Sequence, residues 1–258
     1  MTLLLSNIKF FLKLSRGLFT LNFLKLNLLF KIFFFEFKKN KKESYYKDIF
    51  LITSCINHLD TDNINYNIDH TSNQRLDELV ETINSIKSIF KENYKIIICE
   101  NSIINSKQKN KILIHANQIL DISKKKLTLI SRKIENKGVP WSVSIIFSCL
   151  ELNKYNYERL HFVTGRYKLN EKFSLLNFQK NKINFKYYKE HNNVSTRYFC
   201  YTRKDIFYIF KLIKKVLYVC LLGEPAENGV RFFSSYKNYI YNEIGVEGKV
   251  NGVTFIKE

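Results

Sequence analysis

Between Asp48 and Arg166, short apolar runs alternate with longer stretches of helical periodicity, and few architectures accommodate that order. "DIFLITSCIN" begins at Asp48 and has the length and polar boundaries of a buried strand. Leu76, Leu79, Val80, Ile83, Ile86, Ile89 and Phe90 then fall at the i, i+3, i+4, i+7 spacing of an amphipathic helix. "YKIIICENS" reads as a second buried strand, residues 107–120 as a helix, and "KLTLIS" as a third strand. In "ENKGVPWSVSIIFSCLELN", Gly138 supplies a turn and Pro140 sits in a first helical turn, where its missing N–H costs nothing, so a helix to about Asn153 is expected. "RLHFV" is the next strand and "TGRY" its exit. Strands alternating with helices imply an α/β fold with a largely parallel sheet, whose ligands bind at the carboxyl ends of the strands.

A chain of 258 residues can bury one substantial core and carry a terminal appendage. The 45% hydrophobic and 15% aromatic content argue for a folded domain, because a disordered chain lacks the apolar surface to offset its ordering entropy. A formal charge of +19 points to an anionic partner. It reads equally well as compositional bias, since Lys, Asn and Ile are all frequent and Lys far outnumbers the Arg suited to bidentate recognition of phosphates or bases. Nucleic acid is not an expected partner. Cys55, Cys99, Cys149, Cys200 and Cys220 form no CxxC pair, so neither a zinc site nor a disulfide framework is indicated and a reducing, cytoplasmic setting is expected.

Residues 1–37 are rich in Leu and Phe but interrupted by Lys9, Lys13, Arg16, Lys25 and Lys31, so no uncharged run reaches the roughly 20 residues of a membrane span. No small-residue cleavage site follows an apolar core, so a secretory signal is not expected. Lys9, Lys13, Arg16 and Lys31 share one helical face, which is a basic amphipathic pattern. Up to Lys42 there are nine basic residues and one acid, Glu36. Two readings stand side by side: a helix lying peripherally on the anionic inner face of a membrane, or an extra helix covering the domain. Residues 1–47 are accordingly set apart as a basic segment and linker, and 48–258 as the α/β domain.

The order of these pieces resembles the nucleotide-sugar-binding half of family 2 glycosyltransferases and other glycosyltransferases of the A-type, Rossmann-like fold. "LVETINSIKSIF" is similar to the end of that family's first helix, and "IIICENS" to its acidic and small polar cluster after the second strand. On that resemblance Glu100, Asn101 and Ser102 would hold the nucleoside, since a carboxylate accepts hydrogen bonds from ribose hydroxyls or a base N–H. Asn136, Lys137 and Gly138 match the family's Asn-x-Gly, which places Asn136 and Gly138 in the donor pocket beside a helix amino-terminus. The likeness covers roughly residues 48–170.

It breaks at "VTGRY". The family carries an Asp-x-Asp there that binds Mg²⁺ or Mn²⁺, and this chain has Thr164, Gly165 and Arg166, with no carboxylate before Glu171. Either Arg166 stands in for the metal as a fixed cation that meets the donor diphosphate, or Gly165 makes a turn, Arg166 forms a structural ion pair and Tyr167 packs. "RYKLNEKF" also resembles short proteins of polysaccharide gene clusters and large viruses that carry a "SGRY"-like segment at this place.

In the carboxy-terminal third, one or two strands and a helix from about Lys204 or Asp205 are expected, followed by a small α+β part. "LLGEPAENGVRFF" offers Glu227, and after it Glu224, as the base that would take the acceptor hydroxyl's proton, although acids near a helix amino-terminus more commonly just complement its dipole. "EIGVEGKVNGVTFIKE" has a hairpin signal around "NG", with Glu247 expected to face solvent. His58, His70, His115, His161 and His191 show no metal-ligand spacing, and phosphate-loop motifs are absent.

The sequence thus reads as a nucleotide-sugar transferase acting on a glycan or lipid-linked acceptor without a catalytic metal or other cofactor. Its rivals are a non-catalytic nucleotide- or glycan-binding relative and a basic nucleic-acid-binding protein.

Overall fold

The computed structural model describes residues 21–33, 44–57, 71–178, 183–189, 192–234, 239–250 and 254–258. Strand β1 (Tyr45–Ser54) is buried from Asp48 to Thr53. Its side chains divide by the two-residue period: Ile49 and Leu51 enter one apolar cluster, Phe50 and Ile52 the other. A strand buried on both faces belongs at the centre of a sheet with helices on either side, and β1 lies there. It pairs in parallel with β2 (Tyr94–Glu100) and with β4 (Asn156–Thr164). Beyond β2 lies β3 (Gln118–Asp121), also parallel; beyond β4 come β7 (Asn193–Thr202), antiparallel, then β6 (Asn184–Tyr188) and β8 (Tyr239–Ile240). A second, antiparallel sheet joins β5 (Tyr167–Leu169), β9 (Val246–Val250) and β10 (Thr254–Lys257). The architecture is α/β and Rossmann-like.

The Phe50 and Ile52 face is covered by α2 (Ser72–Ile89), α3 (Ser106–His115) and part of the small sheet. Capping boxes start both helices, Thr71 with Gln74 and Asn105 with Gln108, each satisfying backbone donors that the first turn leaves open. The Ile49 and Leu51 face is covered by α1 (Phe23–Phe33), α4 (Lys126–Arg132), α5 (Gly138–Leu152), α6 (Ile206–Leu221) and α7 (Ala226–Phe233). Helix α6 follows a Thr202–Asp205 capping box, at the expected start.

Two expectations fail between residues 107 and 132. "KLTLIS" is not the third strand but helix α4, which buries Leu127, Thr128 and Ser131, an i, i+1, i+4 set on one helical side. The helix expected over 107–120 ends at His115, and Gln118–Asp121 is the strand. Asn117 enforces the break: its side-chain oxygen accepts from Ile96 N and its own N–H donates to Ile96 O, tying the chain into the ladder with β2. Glu247 departs too, since it is half-buried, accepting from Asn170 Nδ2 at 2.9 Å with Lys168 Nζ 3.8 Å away. The β9 and β10 strands pair as the hairpin signal implies, while residues 251–253 of its turn lie outside the described residues.

Helix α1 packs Leu28 and Ile32, with Leu21 before it, into the same core, so this part of the amino-terminal segment does cover the domain. The boundary drawn at residue 47 falls inside β1. Residues 1–20, with Lys9, Lys13 and Arg16, lie outside the described residues.

Near the amino ends of β1 and β4 sits a buried polar network. The parallel register sets Asp48 against Arg159, whose guanidinium grips both carboxylate oxygens, Nε to Oδ1 at 2.6 Å and Nη2 to Oδ2 at 2.8 Å. His161 Nε2 lies 2.8 Å from Asp48 Oδ1 and its Nδ1 2.6 Å from Tyr198 Oη. The neutral imidazole protonated on Nε2 satisfies both contacts, donating to Asp48 and accepting from Tyr198. Burial pushes Asp48 up, but hydrogen bonds from Arg159 and His161 outweigh it and bring the carboxyl down to about 2. His161 is held below its ordinary 6.5 by burial, against the pull of Asp48. The imidazole stacks on Phe50, centroids 4.5 Å apart, which makes it a core residue.

Candidate functional site at the carboxyl edge of the sheet

The strand order reverses direction at β1: β2 and β3 lie on one side, β4 on the other. At such a switch point the loops leaving neighbouring strands diverge and open a crevice, the usual ligand position in open α/β sheets. Here the switch point lies beyond Ser54 and Thr164, and the topology places the candidate crevice there.

Glu100 at the end of β2 is fully buried. Its Oε1 accepts from Ile56 N at 3.2 Å, from Ser102 N at 2.9 Å and from the Ser102 hydroxyl. Ser102 Oγ in turn accepts from Asn57 N at 2.9 Å, and Asn101 N donates to Ser54 O at 3.1 Å. The exits of β1 and β2 are thereby stitched into one wall. Burial raises the Glu100 carboxyl above its usual range, against hydrogen bonds from Ser102 and Ser54. Asn101 points its Nδ2 at Ser144 Oγ of α5, 3.4 Å away, while its buried Oδ1 has no partner among the described residues. Trp141 Nε1, in the first turn of α5, is likewise buried without one. Buried polar atoms are normally satisfied, so orphans at a crevice mark where a ligand or water belongs.

Across the switch point, Gly165 N donates to Thr53 O at 2.9 Å, and a Cβ there would stand 3.0 Å from that oxygen and 3.1 Å from Leu79 Cδ1. A side chain at 165 would have to push these neighbours back by a few tenths of an ångström, so glycine suits the close exit of β4 beside β1. Arg166 N then donates to Thr164 O at 2.7 Å, closing the turn. The half-buried Arg166 guanidinium has no hydrogen bond or ion pair among the described residues. The structural ion pair considered for it is therefore not found there. Facing it is Arg75 of α2, which donates Nη1 to Cys55 O at 3.0 Å and keeps a buried Nε unpartnered. Burial first, and then the like charge of Arg166, lower the Arg75 guanidinium from its usual range. Cys55 and the Glu78 and Glu100 carboxylates act in the opposite direction, so Arg75 sits among acids as well as near a second cation.

A second group gathers on α5 and α7. Asn136 Nδ2 donates to Glu224 O at 2.8 Å while its Oδ1 accepts from Gly138 N at 2.8 Å. A Cβ on Gly138 would fall 2.5 Å from Cys220 Sγ, so this glycine is what lets α5 start against α6. Glu224 Oε2 accepts from Asn228 Nδ2 at 2.9 Å. Glu227, in the first turn of α7, accepts from Thr196 Oγ1 at 2.6 Å. Thr196 is on β7, two residues past the last pair with β4, Val163 with Tyr198, on the Gly165 side. Glu227 is therefore tethered beside the crevice.

A cavity of about 590 Å³ is lined by Asn22, Leu24, Lys25, Lys133, Ile134, Glu135, Asn136 and Gly223. It shares Asn136 with the second group but touches none of Arg75, Arg166, Glu100 or Glu227.

The structure thus joins Glu100, Asn101 and Ser102 in one wall, sets Thr164, Gly165 and Arg166 at the β4 exit, and clusters Asn136, Gly138 and Glu224. Arg75 and Thr196 escaped the sequence reading: Arg75 sits in "TSNQRLDEL" as an ordinary polar residue of a helix start, and Thr196 in a strand with no motif. Among the described residues no group of three His, Cys, Asp or Glu side chains comes together as metal ligands do.

No family model and no curated protein matches this chain. Among solved structures it is similar to the crystal structure of a glycosyltransferase involved in the glycosylation of the major capsid of PBCV-1, with a TM-score of 0.40 and 9% identity over 76% of this chain and 81% of that one.

Proposed function

We propose that this protein moves a sugar from a nucleotide-sugar donor to a hydroxyl of a glycan or lipid-linked acceptor, using a fixed cationic pair where related chemistry employs a divalent metal. The observation that carries this reading is Arg166 at the exit of β4, whose guanidinium has no hydrogen bond or ion pair among the described residues, with Arg75 near it and the Glu78 and Glu100 carboxylates offsetting part of the Arg75 charge.

In this reading the donor's diphosphate lies between Arg166 and Arg75, where guanidinium N–H groups match phosphate oxygens. Its nucleoside lies along the Glu100, Asn101 and Ser102 wall. Glu100 holds that wall in shape through its three hydrogen bonds, and Asn101 Oδ1 meets a donor group of the base or ribose. Asn136 and Gly138 fix the start of α5 beside the sugar. Glu227 takes the acceptor hydroxyl's proton as its oxygen attacks the anomeric carbon. The bond from that carbon to the diphosphate breaks, and the departing negative charge is met by Arg166 and Arg75. Glu224 is the second carboxylate of the group and Thr164 a neutral wall of the diphosphate pocket.

Calorimetric titration with nucleoside diphosphates and nucleotide-sugars, with and without Mn²⁺, tests this directly. Binding indifferent to Mn²⁺ and weakened more than about tenfold in Arg166→Ala is expected, the loss of a charge-assisted bidentate contact. Binding without sugar transfer in a Glu227→Gln variant, alongside transfer by the parent, would assign the base. Retained binding with no transfer by the parent would instead support a non-catalytic nucleotide-binding relative.

A further inference from the structure

We propose that the outer face of α1, with the adjoining edge of α6, docks this protein on the surface of an anionic lipid bilayer. Helix α1 is apolar on two opposite sides. Leu28 and Ile32 are buried in the core, whereas Phe23, Phe30 and Phe33 are 83%, 67% and 72% exposed, with Leu26 also exposed beside them. At 100° per residue these four fall within about 80° of arc, roughly opposite the buried pair. A single exposed apolar residue needs no explanation, but a stripe of aromatic rings along one helix does.

The charge beside the stripe says what covers it. Lys211, Lys214 and Lys215 lie on α6, Lys25 and Lys31 stand on α1 about 120° of arc to either side of the stripe's centre, and neither helix carries Asp or Glu. Lys214 joins the two helices, donating from Nζ to Phe33 O at 3.0 Å and lying over the Phe33 and Phe210 rings. Lys211 stands 4.3 Å from the centre of the exposed Phe207 ring, which extends the same mixture along α6. Aromatic rings interleaved with lysine stems suit the headgroup boundary, where rings enter the acyl region and ammonium groups reach lipid phosphates. A second copy of the chain would bring the same five lysines face to face, whereas a single strand of nucleic acid, whose bases stack on exposed rings, is the rival that the test below separates. Lys25 also lines the cavity that contains Asn136, so a docked protein would hold that cavity near the lipid surface. The docking stands on α1 and α6 alone and survives if the transferase reading fails.

The test is sedimentation of the full chain with vesicles of phosphatidylcholine alone or mixed with phosphatidylglycerol. Binding only to the anionic vesicles, weakened by salt, is expected. Phe23→Ser combined with Phe30→Ser should weaken it about tenfold or more without altering the circular dichroism spectrum, since both rings are exposed. Lys211→Ala combined with Lys215→Ala should weaken it too, whereas Lys107→Ala combined with Lys109→Ala on α3 should not. Equal binding by the Phe23 and Phe30 variant would overturn the proposal, as would no binding to anionic vesicles, a parent dimer that the same variant dissociates, or binding to a single-stranded oligonucleotide that is tighter than to vesicles and lost in that variant.

Discussion

The Asp48 network and the Arg75 and Arg166 pair sit at opposite ends of the same central strands, and they follow opposite rules. At the amino end, Asp48, Arg159, His161 and Tyr198 satisfy one another through four contacts of 2.6 to 2.8 Å. At the carboxyl end, two guanidiniums repel each other, and Asn101 Oδ1 and Trp141 Nε1 are buried without partners among the described residues. Polar groups arranged for stability pair internally, because a buried charge without a partner is costly. Groups arranged for a ligand keep part of their bonding capacity in reserve.

That contrast can be broken first at Asp48. Asp48→Ala leaves His161 buried and Arg159 partly buried with their charge partner gone, and should lose about 3 kcal/mol, read from urea unfolding. A loss below about 1 kcal/mol would mean that the network positions strands without stabilising them.

Acid should expose the same asymmetry. His161 is held below 6.5 and Asp48 at about 2 rather than 3.8, so at acid pH the unfolded chain binds more protons than the folded one through both groups. Stability is then present at neutral pH, declines as pH falls below 6.5 through His161, and declines again between 3.8 and about 2 through Asp48. Each group adds a slope of up to about 1.4 kcal/mol per pH unit. His161→Gln should remove the first decline from the pH dependence of the urea midpoint.

Gly138→Ala probes the packing of the start of α5 against α6 and α7. Its Cβ would meet Cys220 Sγ at 2.5 Å and Ala226 Cβ at 3.2 Å, so α5 must move from α6, at a cost of about 1 to 3 kcal/mol. The smallest change in stability belongs to Arg166→Ala. It removes a cation with no partner among the described residues and should alter the urea midpoint by less than about 0.5 kcal/mol. If Arg166→Ala instead unfolds the protein as readily as Asp48→Ala, the two ends do not differ in kind.

Much of this plan was legible in the residues. The runs around Phe50 and Ile97 announced central strands because burial on both faces leaves no room for polar alternation. The periodicity from Leu76 to Phe90 announced α2 for the converse reason. "KLTLIS" misled because six residues with alternating apolar side chains also fit a short helix, and the choice was made by β3 having already claimed the sheet edge. The Asp48 network was invisible because its partners lie 111 and 113 residues away and meet only once the register is fixed. Glu100 and Arg166 stood out beside strand ends, and Gly138 through the Asn-x-Gly before a helix. Arg75 did not, since only the folded chain brings α2 under the β4 turn.

The turn at Gly165 has one more consequence. Its shape is fixed by main-chain contacts, Gly165 N to Thr53 O and Arg166 N to Thr164 O, and by the lack of a side chain at its centre. Residues 164 and 166 thus ride on a frame that does not depend on what they are. A substitution at 164 or 166 can therefore change the charge at this edge of the sheet while leaving the main chain of the turn as it is.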